Sequence, residues 1–178
     1  MAEPVSLEDE PVTLADAKLH LRVDDDTEND LIANLIVAAR EEVELATGLI
    51  LTRRQITEAR QGFGPWLALY AWPIDSIDAI DYLDAAYAPQ TMPPSDWIAD
   101  LNVRPARLAA IGRPSTLPGT STTITMTAGY ATLADVPFML KAAILLLIGI
   151  EYDRRAPTAD EASRLASIYD RHRLPVIG

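Results

Sequence analysis

The sequence predicts an α+β fold, with terminal helices forming a mainly helical core and a small antiparallel β-sheet inserted between them. Two observations predict this class: helix-start signals with a three-to-four-residue apolar repeat at both ends, and short strand-like runs in between. We expect helical parts at about residues 12–50 and 135–173, a β-rich insertion at about 54–130, and a C-terminal tail at 174–178.

The N-terminal helical part is predicted to contain two helices. Thr13 and Asp16 have the spacing of a capping box, which begins a short helix. Thr27 and Asp30 repeat that spacing and predict a long helix ending near Gly48, where a left-handed C-cap is expected. The predicted core-facing stripe of this helix is Ile32, Ile36, Ala39, Val43 and Ala46, widened by Leu31, Leu35 and Leu45.

The middle of the chain is rich in proline, aromatic and β-branched residues, in short runs separated by turn signals. One of these runs, IDAIDYL, alternates apolar and acidic residues, as a half-buried antiparallel strand does. The six predicted strands are ITEARQGF, WLALYAW, SIDAIDYLD, DWIADLN, ARLAAI and TTITMTAGY.

The C-terminal part returns to helix after Pro137, because proline suits the first turn of a helix. The segment FMLKAAILLLIGIEYD is apolar nearly all round, which predicts the central core helix. Thr158 and Glu161 form a third capping box, for a last amphipathic helix that ends near Arg173.

Composition excludes several classes of protein. The chain contains no cysteine, so disulfides, thiol catalysis and cysteine-based zinc sites are all excluded. The N-terminus lacks the pattern of a signal peptide, and the apolar stretch at residues 142–150 is shorter than the roughly 18 residues that span a bilayer. We expect a protein made in the cytoplasm, without membrane association.

The negative charge is concentrated in the first third of the chain. The formal net charge is -11, and residues 1–50 contain 13 acidic and three basic side chains, a net of -10. A protein that grips phosphates needs the opposite sign on some surface. Sequence-specific DNA binding is therefore not expected.

The order of segments resembles the phage head–tail connector (adaptor) family, which also occurs in gene transfer agents. The resemblance rests on four collinear motifs rather than on one diagnostic residue. They are VTLADAKLHLR with the following acidic break and AAR helix, WPIDSIDAIDYLDAA, TMTAGYATLADVPFMLKAAILLLIGIEYDRRA and LASIYDRHRLP.

This resemblance implies a structural virion protein that forms a ring, expected to be dodecameric, at the virion neck. Such a ring joins the portal protein to the tail or a stopper protein, and DNA passes through it without sequence-specific binding. The implied partners are therefore portal, tail or stopper, and further copies of the chain. No cofactor, metal or catalysis is expected, and the resemblance is equally to phages and to gene transfer agents.

Two sets of residues are candidates for contacts in such a particle. One set is acidic and forms either a channel lining that repels DNA or a solvated outer face that keeps the subunit soluble. The other ends the chain and is a candidate for portal docking, the alternative being a frayed terminus. The acidic set is Asp24, Asp25, Asp26, Glu28, Glu41, Glu42 and Glu44, and the docking set is Arg164, Arg171, His172, Arg173, Leu174, Pro175, Val176 and Ile177.

Two other functions stay open at this point. One is a monomeric regulatory module that binds a protein through its sheet. The other is an enzyme using paired carboxylates from Asp75, Asp78, Asp81 and Asp84, although their spacing alternates faces on a strand. His20 and His172 lie in no metal-binding pattern, and the run of three aspartates lacks the spaced ligands and glycine of a calcium loop.

Overall fold

The structure, a computed structural model, describes residues 9–61, 66–84, 86–111 and 121–173. Within these residues the chain divides into a helical unit, 9–53 with 130–173, and a β unit, 54–129. The described residues form four α-helices and two small antiparallel sheets, so the predicted α+β class is confirmed.

The helical unit begins where the sequence predicts it. The hydroxyls of Thr13 and Thr158 accept hydrogen bonds from the backbone NH groups of Asp16 and Glu161, respectively. The carboxylate of each acid accepts the backbone NH of its threonine, which completes the two capping boxes. Gly48 adopts the left-handed conformation with φ 70° and ends the second helix. The four helices are α1 Leu14–Leu21, α2 Asn29–Thr47, α3 Phe138–Tyr152 and α4 Ala159–His172.

The start of α2 differs from the prediction. The residue preceding the helix is Glu28, and its side chain makes no capping hydrogen bond. Thr27 instead donates its backbone NH to the Asp25 carboxylate at 2.9 Å, which closes a local turn before the helix. The predicted cap at Thr27 is therefore wrong, because the Asp25 carboxylate, and not that of Asp30, accepts the backbone NH of Thr27.

The core of the helical unit lies between α2 and α3. α1 packs against both of these helices, and α4 packs against them as well. Burying an isoleucine or leucine side chain contributes about 1.5–3 kcal/mol, so these contacts supply most of the stabilisation of the unit. The largest fully buried apolar side chains on these helices are Ile32, Ile36, Leu140, Ile144 and Ile148.

The β unit contains two sheets, whereas the sequence predicts one. The longest strands pair side by side, and β7 (Ser121–Ala128) lies between β1 (Arg54–Gln61) and β3 (Ile74–Leu83), so both of its edges are filled. Among the residues that the structure describes, the shorter strands β2 (Leu67–Leu69), β5 (Trp97–Asp100) and β6 (Ala106–Ala110) pair only with one another. The fourth strand of the first sheet is β4 Pro89–Thr91, and the strand orders are β1-β7-β3-β4 and β2-β6-β5.

A side chain on β1 ties the first sheet to the segment that follows β2. The Glu58 carboxylate accepts hydrogen bonds from the backbone NH groups of Tyr70, at 3.1 Å, and Ala71, at 2.7 Å. Arg60 donates to the carbonyl of Ala68 at 3.1 Å, and its guanidinium lies 5.1 Å from the centre of the Tyr70 ring. Residues of one sheet thus satisfy backbone groups beside the other.

A buried ion network joins three segments of the helical unit. The Arg40 Nε donates to both Glu10 carboxylate oxygens at 3.1 and 3.0 Å, and its Nη1 donates to Glu44 at 2.7 Å. The second Glu44 oxygen accepts the backbone NH of Leu51 at 2.6 Å. Burial alone lowers the pKa of Arg40, but the carboxylates of Glu44 and Glu10 outweigh it and raise that pKa. The arginine is therefore a permanent cation inside the protein.

We predict that Arg40→Met destabilises the chain strongly. The substitution leaves the carboxylates of Glu10 and Glu44 buried without their shared cation, which costs about 3–5 kcal/mol for a broken buried pair. Urea denaturation at neutral pH, followed by circular dichroism, measures the free energy of unfolding.

The exposed Arg107 on β6 supplies the control, because Arg107→Met is expected to change the free energy of unfolding by less than about 0.5 kcal/mol. Adding Glu10→Gln and Glu44→Gln to Arg40→Met removes the stranded charges and is expected to recover much of the loss. Equal stability of Arg40→Met and the unmodified chain would contradict the role assigned to the network.

Candidate functional site

The outward face of α2 has an apolar stripe. Leu31, Ala38 and Leu45 recur every seven residues, so they lie one above another on the same face. Leu45 is 87% exposed and Leu31 is 42% exposed. Glu41 and Glu42 are exposed beside this stripe. The helix therefore presents an apolar line with an acidic border, opposite its buried face.

The three consecutive aspartates are exposed in the loop between α1 and α2. Asp26 accepts a hydrogen bond from the Lys18 Nζ at 2.7 Å and one from Asn29 at 3.1 Å. These bonds, that from Lys18 first, lower the pKa of Asp26, and the bonds from the side chain and backbone of Thr27 lower that of Asp25. Both carboxylates are therefore charged at neutral pH.

The predicted acidic set does not form one cluster. Glu28 accepts a hydrogen bond from the Tyr152 hydroxyl at the start of α2, about 20 Å along the helix from Glu41 at 1.5 Å per residue. Glu44 is only 8% exposed and belongs to the buried network, so it contributes nothing to an exposed acidic face. The remaining acids divide into the aspartate loop and the pair Glu41 and Glu42.

A groove on α4 contains two of the predicted docking residues. Arg164 and Arg171 are exposed, and neither makes a hydrogen bond or ion pair with the residues that the structure describes. Met139, at the start of α3, and Ile168 form its apolar floor. The groove has a volume of about 300 Å³, and its other lining residues are Asp160, Ser163 and Ser167.

The rest of the predicted docking set is partly bound within the helical unit. The Nδ1 of His172 lies 2.9 Å from the carbonyl oxygen of Ile168, and the Arg173 Nε donates to the carbonyl of Ala46 at 2.9 Å. Arg173 therefore fastens the end of α4 to the end of α2. Leu174, Pro175, Val176 and Ile177 lie outside the described residues.

A second and more apolar groove lies where α1 meets the start of α3. Leu19 and Phe138 are each 80% exposed at its edge. Its volume is about 530 Å³, and Asp16, His20 and Lys141 provide its polar groups. The Lys141 Nζ donates to the carbonyl of Leu133 at 2.6 Å, so this cation already has a partner.

Of the four aspartates considered for catalysis, Asp78, Asp81 and Asp84 accept hydrogen bonds within the β unit, and Asp75 is exposed on β3. Asp78 accepts from Gln55 at 3.1 Å and from Thr127 at 2.8 Å, and Asp84 accepts two backbone NH groups, which lower its pKa. Asp81 accepts from Thr91 at 2.5 Å. Within the described ranges no three His, Asp or Glu side chains are placed to hold a metal ion.

Residues 11–66 match the family model described as phage gp6-like head-tail connector protein. The resemblance to head–tail connectors is confirmed. The matched segment contains α1, α2 and β1, and so includes Arg40 and the apolar stripe. No curated protein sequence matches the chain significantly.

Solved structures share the fold over the whole connector-like chain. A chain in the neck of an empty gene transfer agent (GTA) particle, computed with C6 symmetry, matches with TM-score 0.79 and 23% identity, covering 100% of this chain and 98% of that one. A chain in the virion of a native GTA particle matches with TM-score 0.78 and 23% identity, covering 98% of this chain and 95% of that one. A chain in the neck of a native GTA particle, computed with C12 symmetry, matches with TM-score 0.77 and 22% identity, covering 100% of this chain and 98% of that one.

The outward position of Leu31 and Leu45 was missed by sequence reasoning, which placed both leucines beside the buried stripe. The seven-residue spacing of Leu31, Ala38 and Leu45 is the signal that could have found this surface, because it defines a separate face of the helix. The α4 groove could not be found in this way, since Met139 reaches it from another helix. No described helix is long and apolar enough to cross a membrane.

The helix that forms the arginine groove begins with a charged cap. Arg155 donates to both Glu161 carboxylate oxygens, at 2.7 and 2.8 Å, and Thr158 donates its backbone NH to the same carboxylate at 2.8 Å. The bonds from Arg155, followed by those from Thr158, lower the pKa of Glu161 to about 2. Its stabilising contribution is therefore present above pH 4.5 and is lost as the pH falls towards 2.

We predict that Arg155→Ala raises the pKa of Glu161 towards its ordinary value of 4.5, but not fully to it, because the bonds from Thr158 remain. NMR titration of the Glu161 side-chain carboxyl measures this pKa. Arg154→Ala is the control, since the neighbouring arginine makes no bond to Glu161. An unchanged pKa in Arg155→Ala would show that the ion pair does not hold the cap.

Proposed function

We propose that the chain is a structural subunit of the neck of a tailed-phage-like or gene transfer agent particle. In this proposal it forms a ring that joins the portal to the tail or a stopper, and DNA passes through the ring. The observation that carries the proposal is the fold shared with two neck chains over 100% of this chain. The connector model at residues 11–66 supports it independently.

The proposed ring has twelve copies. Two of the similar chains come from necks computed with C6 and C12 symmetry, and a closed ring needs a subunit count compatible with such an axis. The exposed leucines of α2 and the groove of α4 support association, because apolar side chains exposed on a helix are typical of contact surfaces.

The charge distribution suits a protein past which DNA moves. Each basic contact to phosphate adds affinity through counterion release, and twelve copies multiply any such contact. The negative charge of the aspartate loop avoids such binding to phosphate, and two of its three carboxylates have lowered pKa values. Two placements of this loop remain in the proposal, the channel wall and the outer surface.

Of the predicted docking set, Arg164 and Arg171 line the α4 groove, and portal docking is proposed for the remainder, from His172 onward. Arg173, the residue before the segment 174–177 in the sequence, fixes the end of α4 through the Ala46 carbonyl. The sequence of that segment, Leu-Pro-Val-Ile, is apolar and cannot continue a helix after proline. Such a segment suits binding in a hydrophobic groove of a partner.

Deletion of the gene tests the proposed function. We expect electron microscopy to show DNA-filled heads without tails, because the neck would lack the component that joins them. Complementation with the unmodified gene is the control and is expected to restore complete particles. Normal infectious particles in the deletion strain would overturn the proposal, as would turnover of a substrate by the purified chain.

Asp24→Lys distinguishes the two placements of the aspartate loop. Asp24 is exposed, and no described side chain bonds to it, so the substitution changes charge without removing a contact. A channel position is expected to slow DNA delivery by the particle, more strongly at low salt, because twelve new cations face the phosphates. Asp170→Lys on α4 is the control, and delivery rates equal to that control would place the loop on the outer surface.

A further inference from the structure

We infer that the apolar stripe of α2 in one copy binds the arginine groove of α4 in the next copy. The stripe is Leu31, Ala38 and Leu45 with its border of Glu41 and Glu42. The groove is formed by Met139, Ile168, Arg164 and Arg171. This inference rests on the proposed ring and names the two surfaces that form it.

The stripe is too regular to be scattered surface leucines. Its three members extend over about 21 Å at 1.5 Å per residue, which is the length of a helix–helix contact. The spacing of seven residues is that of one position in a coiled-coil repeat, where apolar side chains pack against a neighbouring helix. Among the described residues no element covers Leu45, which is 87% exposed. A second helix is therefore the geometry that the stripe fits.

The groove offers a matching surface of opposite charge. Arg164 and Arg171 are also seven residues apart, so they lie on one flank of α4, about 10 Å from each other. Between them Met139, which is 40% exposed, provides the accessible apolar surface, and the buried Ile168 side chain lies beneath it. Asp160 also lines the groove, so its two arginines leave it with a net charge of +1.

Charge decides which surface meets the stripe. Two stripes facing each other would bring Glu41 and Glu42 of both copies together, and such like-charge pairs are unfavourable. The arginine groove instead places cations beside these carboxylates, around an apolar centre, as interfaces with a polar rim do. The second apolar groove, near Leu19, has Lys141 already engaged with a backbone carbonyl and lacks a free pair of cations among its described lining residues.

The stripe cannot fill the groove of its own copy. Arg173 fastens one flank of α4 to α2 through the Ala46 carbonyl. Arg164 and Arg171 lie on the other flank, by the 3.6-residue helical repeat, and face the start of α3 at Met139. When the two surfaces bind each other, they therefore join different copies in a head-to-tail contact. Repeating this contact closes a ring if the rotation between neighbouring copies divides a full turn.

Disulfide trapping tests the contact, and the chain has no cysteine of its own to interfere. The variants are Leu45→Cys in the stripe and Ser167→Cys in the groove, mixed and oxidised. We expect at least about tenfold more disulfide-linked dimer than from Leu19→Cys mixed with Ser167→Cys, because docking raises the local concentration of the two thiols. Leu19 is a matched control, since it is an exposed leucine on a helix of the same unit.

Linking both sites in one chain extends this test. The double variant Leu45→Cys/Ser167→Cys is expected to give a ladder of covalent oligomers on a non-reducing gel, since each copy bonds to two neighbours. Leu45→Cys alone is expected to give little dimer. Efficient dimers from Leu45→Cys alone would indicate pairing of two stripes and would overturn the inference.

Charge reversal tests the complementarity. Arg164→Glu/Arg171→Glu in the groove partner is expected to lower trapping by about tenfold, and Glu42→Arg in the stripe partner to restore part of it. Glu41→Arg/Glu42→Arg is a second swap in the stripe partner. Because Glu41 accepts a 3.5 Å contact from Arg40, circular dichroism first checks that this double variant is folded. Arg22→Glu/Arg107→Glu changes the charge equally and is expected to leave trapping unchanged.

The outcomes separate this inference from the proposed function. Trapping no better than the Leu19→Cys control, or no restoration by either charge swap in folded protein, overturns the contact even if particle imaging supports a neck role. Trapping as expected, together with normal particles in the deletion strain, overturns the neck role and leaves the contact between copies standing.

Discussion

The buried guanidinium of Arg40 is the constraint on which the helical unit depends. It binds Glu10, which precedes α1, and Glu44, which also holds the backbone of Leu51 after α2. The segment before α1 and the segment after α2 are thereby both fixed to α2. Replacing such a network by apolar residues of similar volume is often neutral, whereas removing one member is costly. The network therefore specifies where the chain enters and leaves the unit, beyond any stability it adds.

This use of charge changes how the acidic N-terminal third is understood. Of its 13 acids, Glu10 and Glu44 are buried beside Arg40, and Asp25 and Asp26 order the loop before α2. Only part of the net charge is therefore available to a channel or to a partner. Glu41 and Glu42 matter more than their number suggests, because they border the apolar stripe at Leu45.

Local signals predicted most of the secondary structure, and tertiary contacts explain the rest. The capping boxes at Thr13 and Thr158 and the C-cap at Gly48 depend on neighbours within four residues, so sequence reveals them. The burial of Arg40 and the groove at Met139 depend on residues about 30 positions apart, which spacing cannot show. Leu45 was misplaced because its apolar side chain was assigned to the buried stripe, whereas the neighbouring Glu44 is the residue that is buried there.

A subunit of a ring has to remain soluble before assembly and still associate afterwards. A wide apolar surface would meet the second requirement and fail the first, because exposed patches promote unspecific association. The stripe of α2 is narrow, and its border of Glu41 and Glu42 gives two facing stripes a like charge that opposes their unspecific pairing. In the proposed ring each contact can be weak, because closure makes the last contact intramolecular and stabilises all the others. Narrow, charged and repeated surfaces are therefore a physical solution to both requirements.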